Sequence, residues 1–213
     1  MKKIPTLFER EYDGPYMVRI TDKVKPGLEW VLAGEGDATV KFDGACCAII
    51  GGELYKRYDA KRGKTHPAGA IPCCEPDPVT WHWPHWVKCR EEDPADKWFF
   101  EAYRYYVSLQ TRIACLHKMT GTASIEVSDG TYEVIGPHFQ NNPYHLTRDV
   151  LVPHGNVFIY VERSFDGIRT YLRENELEGI VFWKDGAPQC KIKRTDFGFS
   201  WPVEKAEDPK NGF

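Results

Sequence analysis

Two stretches of the chain change abruptly from apolar runs to turn residues and back, and each predicts a β-hairpin. Ala45–Ile50 is apolar, Glu53–Tyr58 alternates, and Gly51-Gly52 between them suits a two-residue turn at positive φ. Pairing Ile50 with Glu53 then sets Cys46 opposite Arg57. Leu177–Trp183 and Gln189–Lys193 flank Lys184-Asp185-Gly186-Ala187, so an Asp-Gly turn joins a second pair. Centring on that turn faces Glu178 with Lys193 and Ile180 with Lys191, to within one residue of register. A helical period follows Pro94: Trp98, Phe99, Ala102, Tyr105, Tyr106 and Leu109 fall on one stripe and predict a helix over Pro94–Thr111. Asp93 is its N-cap and Pro94 its first residue. Ser164–Asn175 reads as a shorter helix capped by Ser164. Met17–Ile20 and Glu29–Ala33 read as strands or short extended pieces leading to a strand at Thr39–Phe42. Residues 122–136 read as two strands about Ser128-Asp129-Gly130, and Asp149–Val152 and Asn156–Val161 as further strands. Residues 59–90 and the turn-rich Pro137–Tyr144 read as irregular.

Composition narrows the class. A chain of 213 residues can bury one sizeable core with a small appendage. Net charge is −3, so any nucleic-acid contact must come from a local patch. No apolar run approaches the ~20 residues of a membrane span, and no apolar core follows Met1–Pro5, so neither a membrane partner nor a signal peptide is expected. Seven cysteines, with adjacent pairs at Cys46-Cys47 and Cys73-Cys74, read as reduced thiols of a cytoplasmic protein.

The chemistry-bearing positions lie where the hairpins open. Val40-Lys41-Phe42-Asp43-Gly44 ends a strand and turns. A lysine amine has a reference pKa near 10.4, so about one in a thousand or fewer is a free nucleophile at neutral pH. A desolvated or basic pocket releases the lone pair. Asp43 can orient the ammonium or a metal beside it, and Gly44 lets a ligand approach the backbone. A surface lysine at a hairpin base explains the string equally well by itself. Arg57 either returns a second cation to the Lys41 end or is an exposed strand residue. Glu133 interrupts an apolar strand and needs a partner or a ligand. Glu178, Lys191 and Lys193 gather at an open hairpin end, as a site or as an exposed cross-strand ion pair. Lys61-Arg62-Gly63-Lys64 is a phosphate-binding loop or a solvated charge run. Cys73, Cys74, His82, His85 and Cys89 lack a C-x-x-C and fit no common finger, so no zinc is expected there. Trp81, Trp83 and Trp86 pin this stretch as a satellite core or stack on exposed bases.

Taken together, the motifs resemble those of the covalent nucleotidyltransferase superfamily of ATP-dependent ligases and capping enzymes. Lys41-Phe42-Asp43-Gly44 matches the nucleophile motif, Glu133–Gly136 looks like the third motif, Glu178–Val181 the fourth and Lys191-Ile192-Lys193 the fifth, in the family's order. Gly136–Tyr144, Val152-Pro153-His154-Gly155 and Lys193–Gly198 are similar to a compact 5′-to-3′ RNA ligase family with animal members. Cys46 stands where DNA ligases and capping enzymes usually carry arginine. The resemblance implies an α+β fold, an ATP-grasp-like nucleotidyltransferase core of antiparallel sheets flanked by a few helices. It implies a single adenylyltransferase domain over 1–213, with a Pro/Trp/Cys-rich loop at 66–93, a short tail at 199–213 and no OB-fold domain. It implies joining of an RNA 5′-phosphate to a 3′-hydroxyl with ATP and Mg²⁺, or Mn²⁺ in its place, by a monomer. Lys41 would be the nucleophile, and Lys191 and Lys193 would hold the α-phosphate. Glu178 would hold the metal, Glu133 would accept from the ribose, Arg57 would contact nucleotide or RNA phosphate, and Asp43 would line the nucleotide site. His154, Phe158 and Tyr160 are the candidates for stacking on adenine. A DNA ligase, a capping guanylyltransferase and a decayed RNA-binding module are the alternatives.

Overall fold

The structure is a computed structural model that describes residues 3–61, 63–78, 80–119 and 127–203, with 114–119 by backbone alone. In chain order the strands begin with β1 (Phe8–Asp13), β2 (Tyr16–Val24), β3 (Asp37–Lys41), β4 (Ala45–Ile50) and β5 (Glu53–Ala60). They continue with β6 (Ile71–Pro72), β7 (Trp83–Lys88), helix α1 (Lys97–Met119), β8 (Gly130–Ile135) and β9 (Val150–Pro153). Helix α2 (Phe165–Glu174), β10 (Gly179–Lys184) and β11 (Ala187–Lys193) complete the set. The fold is α+β, mostly antiparallel sheet with two helices among the described residues. The chain divides into two compact units, residues 1–3 with 43–154, and residues 4–42 with 155–213.

The first unit holds a six-stranded sheet in the order β6-β7-β5-β4-β8-β9. Gly51 and Gly52 both take positive φ, as the two-residue turn requires, and the register pairs Ile50 with Glu53 as the sequence predicts. Helix α1 covers a core that includes Cys47, Ile49, Leu54, Tyr132 and Val134. Asp93 caps the helical start by accepting from Ala95 N–H at 2.9 Å. Buried Asp96 ties the start to the sheet, taking an ion pair from Lys56 and the Arg90 N–H at 3.0 Å. The helix runs past Thr111 to Met119. Thr111, inside this helix, donates its Oγ1 back to the Val107 carbonyl at 2.8 Å. Leu109, expected on the apolar stripe, is exposed.

The stretch 59–90, expected to be irregular, instead contributes β6 and β7, and β7 pairs along β5. Pro84 fits there opposite Asp59, and Trp86 closes into the sheet while Trp81 stays exposed. Residues 122–126, expected as a strand, lie outside the described residues, as do Arg62, Val79 and most of the C-terminal tail.

The second unit holds a three-stranded sheet, β11-β10-β3, and the hairpin β1-β2. Helix α2 begins at the expected cap, with Ser164 Oγ accepting from Gly167 N–H at 2.9 Å. Its Ile168 and Leu172 enter a core with Leu7, Phe8, Ile180, Phe182 and Ile192. Glu29–Val31 is a 3₁₀ turn rather than a strand, because the Glu29 carbonyl accepts from both Leu32 and Ala33. Residues 156–161 form no strand and join β3 only by bonds such as Val40 N–H to the Val157 carbonyl.

The β10–β11 register lies one residue from the centred pairing, within the margin expected of it. Gly179, not Glu178, faces Lys193, and Val181, not Ile180, faces Lys191. The turn pairs Lys184 with Ala187 as expected, but a bulge follows between Phe182 and Trp183, so β11 carries one extra residue.

Candidate functional site

In the second unit β10 is the central strand, with β3 and β11 on its two sides. Gly179 is the Cα partner of Lys41 on one side and of Lys193 on the other. Glu178 immediately precedes it, so three strands deliver two ammoniums to one carboxylate. Glu178 Oε2 accepts from Lys41 Nζ, and Oε1 lies 2.5 Å from Lys193 Nζ. The glutamate side chain is 4% exposed, against 21% for Lys41 and 35% for Lys193, so the carboxylate is deep and the cations open outward. A side chain at position 179 would place Cβ 2.3 Å from the Ile192 carbonyl oxygen, so glycine is what lets the strands close here. Lys41 Nζ also reaches the Phe42 carbonyl at 3.4 Å. Lys191 lies two residues before Lys193 on β11, hence on the same strand face, with its backbone bonded to Pro5 and Leu7.

The other expected site residues lie in the first unit. Asp43 N–H donates to Tyr144 Oη at 2.6 Å. Glu133, on β8, has partners outside that strand: Oε1 accepts from Gly44 N–H at 3.1 Å, and Oε2 lies 2.9 Å from His154 Nε2. Gly44 is required by that approach, since its Cβ would lie 2.1 Å from the Val134 carbonyl oxygen. His154 Nδ1 is 2.9 Å from Thr131 Oγ1, so both ring nitrogens are engaged. Phe158 and Tyr160, in the second unit, are instead strongly exposed. Arg57 holds Asp59 through Nε at 2.8 Å. Burial opposes the charge on Arg57, but Asp59 and Cys46 outweigh it and hold the guanidinium above its ordinary value. Burial, reinforced by the Glu133 carboxylate, pushes the Cys46 thiol up to about 12, with Arg57 pulling the other way.

Sequence reasoning overlooked Cys46 as a participant. The available signal was the pairing of β4 with β8, which makes Cys46 the Cα partner of Glu133. It weighed His154 only for stacking, whereas the ring contacts Glu133. Among the described residues the three-donor cluster is Cys46, Glu133 and His154, rather than any set from the Cys73–Cys89 stretch. No helix of the described residues is long and apolar enough to cross a membrane. No family model and no curated protein matches the chain.

Proposed function

We propose that this chain is an ATP-dependent RNA ligase that transfers AMP onto Lys41, then onto an RNA 5′-phosphate, and seals that end to a 3′-hydroxyl. The observation that carries the reading is the convergence of Lys41 and Lys193 on the buried carboxylate of Glu178, from three strands bearing the resembling motifs. In the first step the Lys41 amine attacks the α-phosphorus of ATP. A P–N bond forms, the P–O bond to pyrophosphate breaks, and the ammonium proton must leave beforehand. Glu178 Oε2, already accepting from Nζ, is the nearest acceptor for it. Lys193, with Lys191 on the same face, balances charge that builds on the phosphoryl oxygens. The RNA phosphate then displaces Lys41, and the RNA 3′-hydroxyl displaces AMP.

Glu178 fits a hard cation such as Mg²⁺ or Mn²⁺, which commonly takes one carboxylate and fills its sphere with water and phosphate. Both carboxylate oxygens contact ammoniums, so the cation would take the place of one lysine there. When bound it supplies charge neutralisation at the phosphates. Asp43, Glu133 and Arg57 keep the nucleotide and RNA roles implied by the resemblance as part of this proposal.

The test is incubation with radiolabelled ATP or GTP and Mg²⁺, peptide mass mapping of the labelled residue, and a joining assay on RNA and DNA ends. AMP on Lys41, lost in Lys41→Ala, together with RNA joining, is the expected result. Labelling from GTP alone would point to capping chemistry, and joining of DNA alone to a DNA ligase. Label that persists in Lys41→Ala would remove Lys41 as the nucleophile.

A further inference from the structure

The first unit carries a second constellation, with different donor chemistry. Cys46 on β4 and Glu133 on β8 are Cα partners, directly opposite across the sheet. His154 follows β9, and its N–H is bonded to the Thr131 carbonyl at 3.0 Å. Sγ of Cys46, a carboxylate oxygen of Glu133 and a ring nitrogen of His154 all lie within 4.8 Å of one another. Two of the three donors are already aimed. Thr131 Oγ1 holds His154 Nδ1, which leaves Nε2 pointing to the cluster. The Gly44 N–H holds Glu133 Oε1, which leaves Oε2 there too. Such outer partners are what orient metal-ligating side chains.

We propose that Cys46 Sγ, Glu133 Oε2 and His154 Nε2 bind one divalent transition-metal ion of the zinc class, with a fourth position left for water. Zinc takes Cys at about 2.3 Å, His at about 2.0–2.1 Å and carboxylate at about 2.0–2.2 Å, nearly tetrahedrally. Donors in that geometry stand roughly 3.2–3.7 Å apart. The observed spacing, within 4.8 Å, is close to this, and the 2.9 Å His154–Glu133 contact would open slightly. One thiolate, one imidazole and one carboxylate suit Zn²⁺ or Co²⁺ and suit poorly a cation such as Mg²⁺ that demands oxygen. The charges close as well. On binding, Cys46 would give up its proton, His154 would coordinate as the neutral imidazole with Nδ1 toward Thr131 Oγ1, and two anionic ligands would offset the dication. This site shares Glu133 with the proposed nucleotide site, and the ion would occupy its Oε2. The ribose-accepting role proposed for Glu133 is therefore open to the metal-free protein alone.

The experiment titrates the full chain, stripped with chelator, with Zn²⁺ and with Co²⁺ alone, by calorimetry and absorption. One ion per chain is expected, with a thiolate-to-cobalt charge-transfer band that Cys46→Ser abolishes. His154→Gln and Glu133→Gln should weaken binding at least about tenfold, Thr131→Val about tenfold through loss of the orienting contact, and Cys73→Ser not at all. Zinc X-ray absorption on the wild-type chain keeps the proposal testable if a variant does not fold, and one sulfur with nitrogen and oxygen neighbours is expected. Absence of stoichiometric binding, a zinc shell with no sulfur or with two, or binding that survives Cys46→Ser or is lost in Cys73→Ser would overturn it.

Discussion

Glu178 is the residue whose replacement separates packing from chemistry. Its buried carboxylate is the shared counter-charge of Lys41 and Lys193. Glu178→Gln keeps the shape and removes the charge, so two partly covered ammoniums lose their acceptor. Removing one member of such a group costs more than the group gains by existing. The expected loss is about 1–3 kcal/mol of unfolding free energy in urea, and Lys41→Met should lose less because Lys193 still pairs the carboxylate. Equal stability of Glu178→Gln and wild type would mean that water already screens the cluster. For the proposed AMP transfer, a cation ~4 Å from a developing phosphate charge contributes on the order of 4 kcal/mol at an effective dielectric near 20, less where solvent reaches it. Lys193→Ala and Lys191→Ala should each slow lysyl-AMP formation by about a hundredfold. Glu178→Ala should also raise the Mg²⁺ or Mn²⁺ concentration required. Lysine variants at wild-type rates would reduce the pair to a solvated strand face, and an unshifted metal titration would detach Glu178 from the metal. At this scale the sequence exposed Lys41, Glu178 and Lys193 because charged residues at hairpin ends stand out against apolar strands. It did not expose Cys46, since a cysteine in the apolar run Ala45–Ile50 looks like core until β8 is known to lie beside it.

At the scale of elements, the parts readable in advance were those governed by local chemistry. The Gly51-Gly52 turn, the Asp93 and Ser164 caps and the Asp185-Gly186 turn each depend on a few adjacent residues. What could not be read was set by partners distant in sequence. Strand β7 forms because β5 offers it an edge, despite Pro84, and the bulge in β10–β11 appears only where the strands settle against their neighbours. The bulge matters to the site, since it makes Gly179 the residue between Lys41 and Lys193. Two glycines of this hairpin should therefore respond differently. Gly186 sits in the turn at φ 72° with nothing near its absent Cβ, so Gly186→Ala carries only backbone strain, about 1–2 kcal/mol. Gly179→Ala meets backbone on β11 and must part the strands, which should cost more than that and slow AMP transfer together with stability. Urea melts and labelling of the two variants side by side test this, and a Gly179→Ala no worse than Gly186→Ala would contradict the close packing. Ser164→Ala, which removes only the cap of α2, should cost about 1 kcal/mol and leave labelling unchanged.

For the molecule as a whole, buried thiols link stability to pH in both units. Cys46 and Cys89 in the first unit and Cys190 in the second are each pushed up to about 12, chiefly by burial. An unfolded cysteine begins to lose its proton near 9.0, well before these folded thiols do. The sign follows from proton binding: between roughly 9 and 12 the folded chain holds more protons than the unfolded one. Stability is therefore full below about 9 and declines as pH rises toward 12. One pKa unit corresponds to about 1.4 kcal/mol, so a single thiol can withdraw several kcal/mol across that window. Three thiols share this direction, so the decline of wild type alone does not identify any one of them. Cys190→Ala isolates one of them, because Cys190 is fully buried in the second unit's core. The variant should be less stable than wild type at pH 7.5 through lost packing. Its disadvantage should shrink, by at least about 1 kcal/mol, when the urea melts are repeated at pH 10.5. A disadvantage that stays constant between the two pH values would show that Cys190 titrates alike in the folded and unfolded chain, and the burial argument for its thiol would fall.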